Sequence, residues 1–285
     1  YECQFYLAFA AEKEIDRIHL IREFIAKINH QNQGCHAKRI PEIPQSVTEE
    51  FIRNQYSEEY GQKYCIPIGI EYESIDIRTI RMNQMFSLGL VNASKEGNQA
   101  FRDYLFHRLI SENIYQVYLF DDDNQAWSRY EDQVSAYAAG LGRIQDLLVQ
   151  LETDMQARKM DRNDNTDALC DMEQLVVWIS TAGLAREMSA DKDISAIYKR
   201  LYERCRGDNL CFIFADLDNE RISLRSGDLL RMVQNEKNYL IYEDIGSIEI
   251  YDIPSMLKRE YKKPLASNEA YLIRGDAVEK IKTME

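Results

Sequence analysis

The sequence predicts an α/β protein: a mainly parallel sheet flanked by helices and closed by a C-terminal β-hairpin. Three observations carry this. Short, continuous apolar runs recur along the chain, as strands buried on both faces do, and amphipathic segments separate them. The last such stretch changes character, with two alternating runs meeting at Gly275-Asp276. With 285 residues, 45% hydrophobic and 29% charged, the chain is large enough for a proper core.

Residues 1–45 read as a connector. YECQFYLAF is a short strand, and Ile15, Ile18, Ile21, Ile25 and Ile28 then recur at steps of three and four, giving one helical face. Polar residues with Gly34, Pro41 and Pro44 follow, which is linker chemistry, so the main domain is expected to run from 46 to 285. There IPIGIEY (66–72) and MFSLGLV (85–91) read as strands, and 98–111 as a helix. VYLFDDD (117–123) is a buried strand ending in acids, and a long helix is expected over about 131–160. Within that helix Val134, Tyr137, Leu141, Ile144, Leu148, Leu151 and Met155 form an a/d seam of about three heptads. This face either covers the sheet or receives a helical partner. LVVWIS (175–180), a helix over 194–205, LCFIFAD (210–216) and NYLIY (238–242) after the LLRMV helical turn continue the alternation. Glycine at the first central position of the final turn suits a type II′ hairpin.

A net charge of −13 argues against a protein whose main task is holding DNA phosphates. No apolar run approaches the roughly 20 residues that cross a bilayer. Tyr1 is not a natural start, so the expectation is an excised piece, with room for a membrane segment upstream. The six cysteines (Cys3, Cys35, Cys65, Cys170, Cys205, Cys211) show no C-x-x-C spacing and read as reduced thiols. His30, Cys35 and His36 are the one conceivable metal cluster, without the second spaced pair that zinc sites bring.

The chemistry-bearing stretch is LGLVNASKEGNQAF, Leu88 to Phe101, a strand–loop–helix with the outline of a phosphate loop. Against G-x-x-x-x-G-K-[ST] it reads Asn92, Ala93, Ser94, Lys95, Glu96, Gly97, Asn98, Gln99. Gly97 matches. Asn92 replaces the first glycine but tolerates a left-handed backbone. Asn98 and Gln99 replace the lysine that reaches the β- and γ-phosphates and the hydroxyl that holds Mg²⁺. Lys95 lies too early in the loop, and Glu96 cancels its charge locally. The Walker B position, at the end of LVVWIS, holds Ser180 and Thr181 in place of carboxylates. Asp216, ending LCFIFAD, is the metal-binding alternative if those two strands exchange roles. Asp121, Asp122 and Asp123 also end a strand at the edge where open α/β sheets bind ligands, and three carboxylates there would repel a triphosphate.

Together these segments resemble FtsK/SpoIIIE-type ATPase domains, more narrowly the third ATPase module of the EssC/YukBA coupling proteins of Firmicutes type VII secretion. KRIPEIP (38–44) resembles the entering linker, and KYCIPIGIEYESIDIRTI (63–80) the strands before the P-loop. FSLGLVNASKEGNQAF (86–101) resembles the loop itself, NLCFIFADLDNERIS (209–223) a late strand, and KKPLASNEAYLIRGDAVEKIK (262–282) the closing hairpin. The resemblance implies a P-loop NTPase-like, RecA/FtsK-type fold at the cytoplasmic face of a bacterial membrane. It implies neighbouring ATPase modules, assembly toward hexamers, and export of WXG-type helical-hairpin proteins. Because the family's catalytic lysine and acids are absent at Asn98, Ser180 and Thr181, no catalytic role carries over. The expectation is a degenerate ATPase fold serving substrate recognition, with no cofactor required and at most weak binding of ATP and Mg²⁺. An active ATPase using Lys95 with Asp216 or Asp121, and a DNA translocase module, are the alternatives.

Overall fold

The computed structural model describes residues 9–32, 42–95, 98–164, 173–223 and 226–285. The chain divides into two compact units, Tyr1–Glu42 and Ile43–Glu285. The strand expected over the first nine residues, the His30–Cys35–His36 grouping and three of the cysteines (Cys3, Cys35, Cys170) lie wholly or mainly outside the described residues.

In the first unit, α1 (Glu14–Gln31) follows the isoleucine periodicity, with Glu14 and Asp16 favourably placed in its first turn. Arg17 donates to the carbonyls of Phe9 and Ala11 at 3.3 Å each, and Phe9 packs edge-on against Phe24. Ile15, Ile18, Phe24 and Ile25 remain exposed.

The second unit is built on one ten-stranded sheet. Its strands are β1 (Cys65–Glu71), β2 (Ile77–Arg81), β3 (Ser87–Val91), β4 (Tyr115–Asp121), β5 (Ala136–Ala139), β6 (Gln174–Ile179), β7 (Leu210–Leu217), β8 (Asn238–Ile241), β9 (Glu269–Arg274) and β10 (Ala277–Thr283). Their order across the sheet is β2-β1-β10-β9-β8-β3-β7-β6-β4-β5. From β8 to β5 every pairing is parallel, as the apolar runs require. From β2 to β8 every pairing is antiparallel, including the hairpin that turns at Gly275-Asp276. A bridge between Val47 and Met284 sets the two ends of the unit side by side.

Helices cover both faces. Between Val47 and β1 come α2 (Glu49–Gln55) and α3 (Ser57–Tyr60); α4 (Gln99–Ser111) joins β3 to β4. After β5 comes α5 (Leu141–Asp164), then α6 (Ala182–Ala190) and α7 (Lys192–Cys205) between β6 and β7, α8 (Gly227–Glu236) before β8, and α9 (Ser255–Glu260). Strand side chains alternate between two cores. Val177, Ile179, Phe212 and Phe214 join the helices α5 to α8. Val176, Trp178, Cys211 and Ile213 join α2 and α4, where Phe106 meets Trp127, Tyr130 and Trp178 edge-on. Cys65, Cys205 and Cys211 are free and buried, and burial pushes the Cys205 thiol up, which keeps it inert.

The long helix begins later than its periodicity suggests. Residues 128–133 form a 3-10 turn, and Ala136–Ala139 pair in parallel with β4 as an edge strand. Gly140 then takes φ +81, a conformation open to glycine, and α5 starts at Leu141. Val134 and Tyr137 therefore do not belong to the seam. Its remainder faces the sheet: Ile144, Leu148, Leu151 and Met155 are fully buried. Each contributes about 1.5–3 kcal/mol by burial. This overturns the reading of that face as a groove for a helical partner.

Candidate functional site

The loop after β3 is held by its two neighbours in the sheet. β7 lies on one side of β3 and β8 on the other, and each delivers a carboxylate at its end. Asn92 takes φ +57, the left-handed turn its side chain tolerates, and its backbone N–H donates to the Leu217 carbonyl at 2.9 Å. Its Nδ2 donates to Glu243 Oε1 at 2.5 Å, and Lys95 Nζ pairs with that same oxygen. Ser94 turns the other way, donating Oγ to Asp216 Oδ2 at 2.7 Å and its backbone N–H to Oδ1 at 3.4 Å.

Ala93 is fully buried beneath the loop. Asn98 is buried at the start of α4 and makes no side-chain cap, whereas Gln99 donates back to the Ser94 carbonyl at 3.0 Å. Glu96 and Gly97 lie outside the described residues. Ser94, Lys95 and Asn92, described side chains that could greet a phosphate, thus each already hold a carboxylate oxygen of Asp216 or Glu243.

The other predicted position is also internally satisfied. β6 is separated from β3 by β7, so Ser180 and Thr181 end the strand one place farther along the sheet. Ser180 Oγ donates to Asp121 Oδ1 at 2.8 Å, and Thr181 Oγ1 donates to Asp122 Oδ2 at 3.3 Å while capping α6 through the Leu184 N–H. Asp121 has no exposed surface. Besides Ser180 it accepts the Trp127 N–H at 2.8 Å, the Asp122 N–H at 3.0 Å and the Tyr137 hydroxyl at 3.2 Å. Burial, then the Asp121 charge, pushes the Tyr137 hydroxyl up to about 12. Four donors on one buried carboxylate are a structural clasp, with no lone pair turned toward a ligand.

A triphosphate with magnesium does not fit this residue set. The lysine is neutralised by a glutamate, two carboxylates stand over the loop, and the strand end that would hold the metal offers engaged hydroxyls. Among the described residues, no three His, Cys, Asp or Glu side chains converge as metal ligands.

Farther along the same sheet edge lies a cleft of about 350 Å³ between α6, α8 and the end of β7. Ala182, Ala185, Ala190, Leu217, Ile222 and Leu230 give it an apolar lining. Arg186 and Asp218, ion-paired with one another, add charge to its wall, as do Glu220 and Arg221. Gly227 brings α8 against α6: with φ +82, a Cβ there would lie 2.1 Å from the Ser189 carbonyl oxygen. The two helices therefore meet backbone on backbone at that point.

This architecture has known counterparts. Its fold is that of the EssC and EccC ATPase modules. The cytoplasmic domain of EssC superposes with a TM-score of 0.68 at 12% identity, covering 99% of this chain and 56% of that one. ATPases 2 and 3 of EssC from Geobacillus thermodenitrificans give 0.68 at 13% identity, covering 97% of this chain and 51% of theirs. ATPases 2 and 3 of Thermomonospora curvata EccC, solved in complex with a signal sequence peptide, give 0.62 at 12%, with 96% and 49% covered. The chain thus spans about half the length of these proteins. No family model matches the sequence, and no curated protein does. At such identities the likeness is one of fold, and the mainly parallel sheet with its closing hairpin is common ground.

Glu243 was not legible from the sequence. It follows NYLIY at a strand end, a usual place for a site acid, but its partnership with Asn92 and Lys95 needs β8 to lie beside β3. The cleft was missed because α6, with its alanines, carries no long apolar periodicity.

Proposed function

We propose that this chain is a non-hydrolysing ATPase-fold module of a type VII secretion motor, serving to dock export substrates and regulate the motor. The observation that carries the reading is the loop after β3, whose Lys95, Ser94 and Asn92 are bound to Asp216 and Glu243, beside a strand end holding Ser180 and Thr181 instead of acids. Without a cationic anchor and magnesium-holding carboxylates, phosphoryl transfer loses both charge stabilisation and a positioned nucleophile. No ATP or Mg²⁺ is required for this role.

Docking is assigned to the α6–α8 cleft. Its lining suits one or two apolar side chains of a helical segment, and a similar EccC structure was solved in complex with a signal sequence peptide. In the longer protein the module would be the third ATPase unit, beside other modules in a hexamer at the cytoplasmic membrane face, with WXG-type helical hairpins as cargo. DNA is not the expected partner, given the net charge of −13.

The test has two arms. Purified chain with Mg-ATP should release no phosphate above buffer; steady turnover abolished by Asp216→Asn or Lys95→Ala would overturn the silent reading. Calorimetric titration with synthetic helical peptides taken from WXG-type proteins should show saturable binding. Ile222→Asp, which sets a charge in the apolar lining at a partly exposed position, should abolish it. Unchanged binding by that variant would remove the cleft from the proposal.

A further inference from the structure

We propose that Asp216 and Glu243 form a built-in anion plug. They occupy, on Asn92, Ser94 and Lys95 of the loop after β3, the places that oxygens of a phosphoanhydride would take, and they thereby block those donors. The disagreement between the fold and its residues is the starting point. A phosphate loop offers backbone N–H groups, a hydroxyl and a lysine to anionic oxygens. Here the same kinds of donor are present on Asn92, Ser94 and Lys95, and each already has an anionic oxygen.

The geometry is that of a ligand and not of stray surface pairing. Asp216 takes the Ser94 N–H on one carboxylate oxygen and the Ser94 hydroxyl on the other, at 3.4 and 2.7 Å. Glu243 gathers the Asn92 amide and the Lys95 ammonium on a single oxygen. The two acids come from the two strands that flank β3, so the sheet itself holds them over the loop. Lys95 is about half exposed while the Glu243 side chain is 18% exposed, so the acid lies inside and the lysine folds down onto it. Neutralising the acids would loosen their hold on four donor groups of three residues without removing any of them. Charge-assisted bonds of this kind shorten and strengthen when the acceptor is anionic, which is what makes an internal carboxylate an effective competitor for an external phosphate.

This inference rests on the silent-module reading only for its setting, since it concerns binding and not turnover. The experiment titrates inorganic pyrophosphate into the chain at constant ionic strength. Wild type should show no saturable heat at millimolar ligand. Glu243→Gln with Asp216→Asn should bind at least tenfold more tightly, and adding Lys95→Ala to that pair should return binding to the wild-type level. Glu243→Gln alone still accepts the Asn92 amide, so it keeps the fold if the pair does not, and should gain about threefold. Wild-type binding as tight as that of the paired variant would overturn the plug, as would no gain in a variant whose melting temperature matches wild type. Peptide docking and ATP turnover are read in separate titrations, so failure of the proposed function leaves this result distinguishable.

Discussion

Two groups of acids stand at the carboxyl ends of the same parallel strands, and they play different parts. Asp121, at the end of β4, is fully buried and accepts four hydrogen bonds that tie β4 to β6, to β5 and to the turn at Trp127. Asp216 and Glu243, around β3, are only partly covered and take the donors of a single loop. Sequence position would class all three alike, as acids ending a strand. Burial separates them, because an anion removed from water is tolerated only when protein donors replace its hydration, and their removal then leaves those donors stranded. The first group ties strands together, and the second fastens the loop after β3.

Substitutions can break or sharpen this contrast. The largest effect is expected from Asp121→Ala, which strands the Trp127 N–H and the Ser180 and Tyr137 hydroxyls; chemical denaturation should show a loss of about 3 kcal/mol. Should this variant be as stable as Asp216→Ala, the contrast collapses. Ser180→Ala removes one of four donors and leaves the carboxylate otherwise bonded, so a loss of about 1 kcal/mol is expected from the same measurement. Glu243→Gln breaks a half-exposed ion pair, and its melting temperature should fall by the equivalent of less than about 1 kcal/mol. The smallest effect at neutral pH belongs to Tyr137→Phe. A hydroxyl whose folded pKa is raised lends stability below its ordinary value near 10, and that contribution is lost as pH rises through about 12. Comparing wild type with Tyr137→Phe across that window should show a shallower alkaline decline in the variant. Identical declines would separate Tyr137 from the Asp121 clasp.

How far the sequence reaches depends on the range of the interaction. The strands β3, β4, β6, β7 and β8 were visible because residues buried on both faces must be apolar without alternation, as in Val176–Ile179 and Leu210–Phe214. The hairpin was visible because its turn chemistry is local. The start of α5 was not, since Ser135–Ala139 would suit a helix and becomes a strand only by pairing with β4. The loop's departures from a phosphate-binding pattern, and the hydroxyls of Ser180 and Thr181 after an apolar run, are matters of residue type that the sequence displays directly. The partner of Lys95 was not legible there, because Glu243 reaches it across 148 residues of chain, by way of a strand order that no local pattern encodes.

The meeting of the two ends of the Ile43–Glu285 unit has a consequence of its own. The Glu285 N–H donates to the Val47 carbonyl at 3.0 Å, Ser46 Oγ reaches the Glu285 carboxylate at 2.6 Å, and the Met284 N–H binds Ile68 at 3.0 Å. A polypeptide that leaves a module beside its point of entry can be spliced into another chain, or looped out of one, like a bead hung from a single knot. Joining the two ends by a few residues and reopening the ring elsewhere, at the exposed Gly246 for example, should therefore yield a permuted protein with the same sheet.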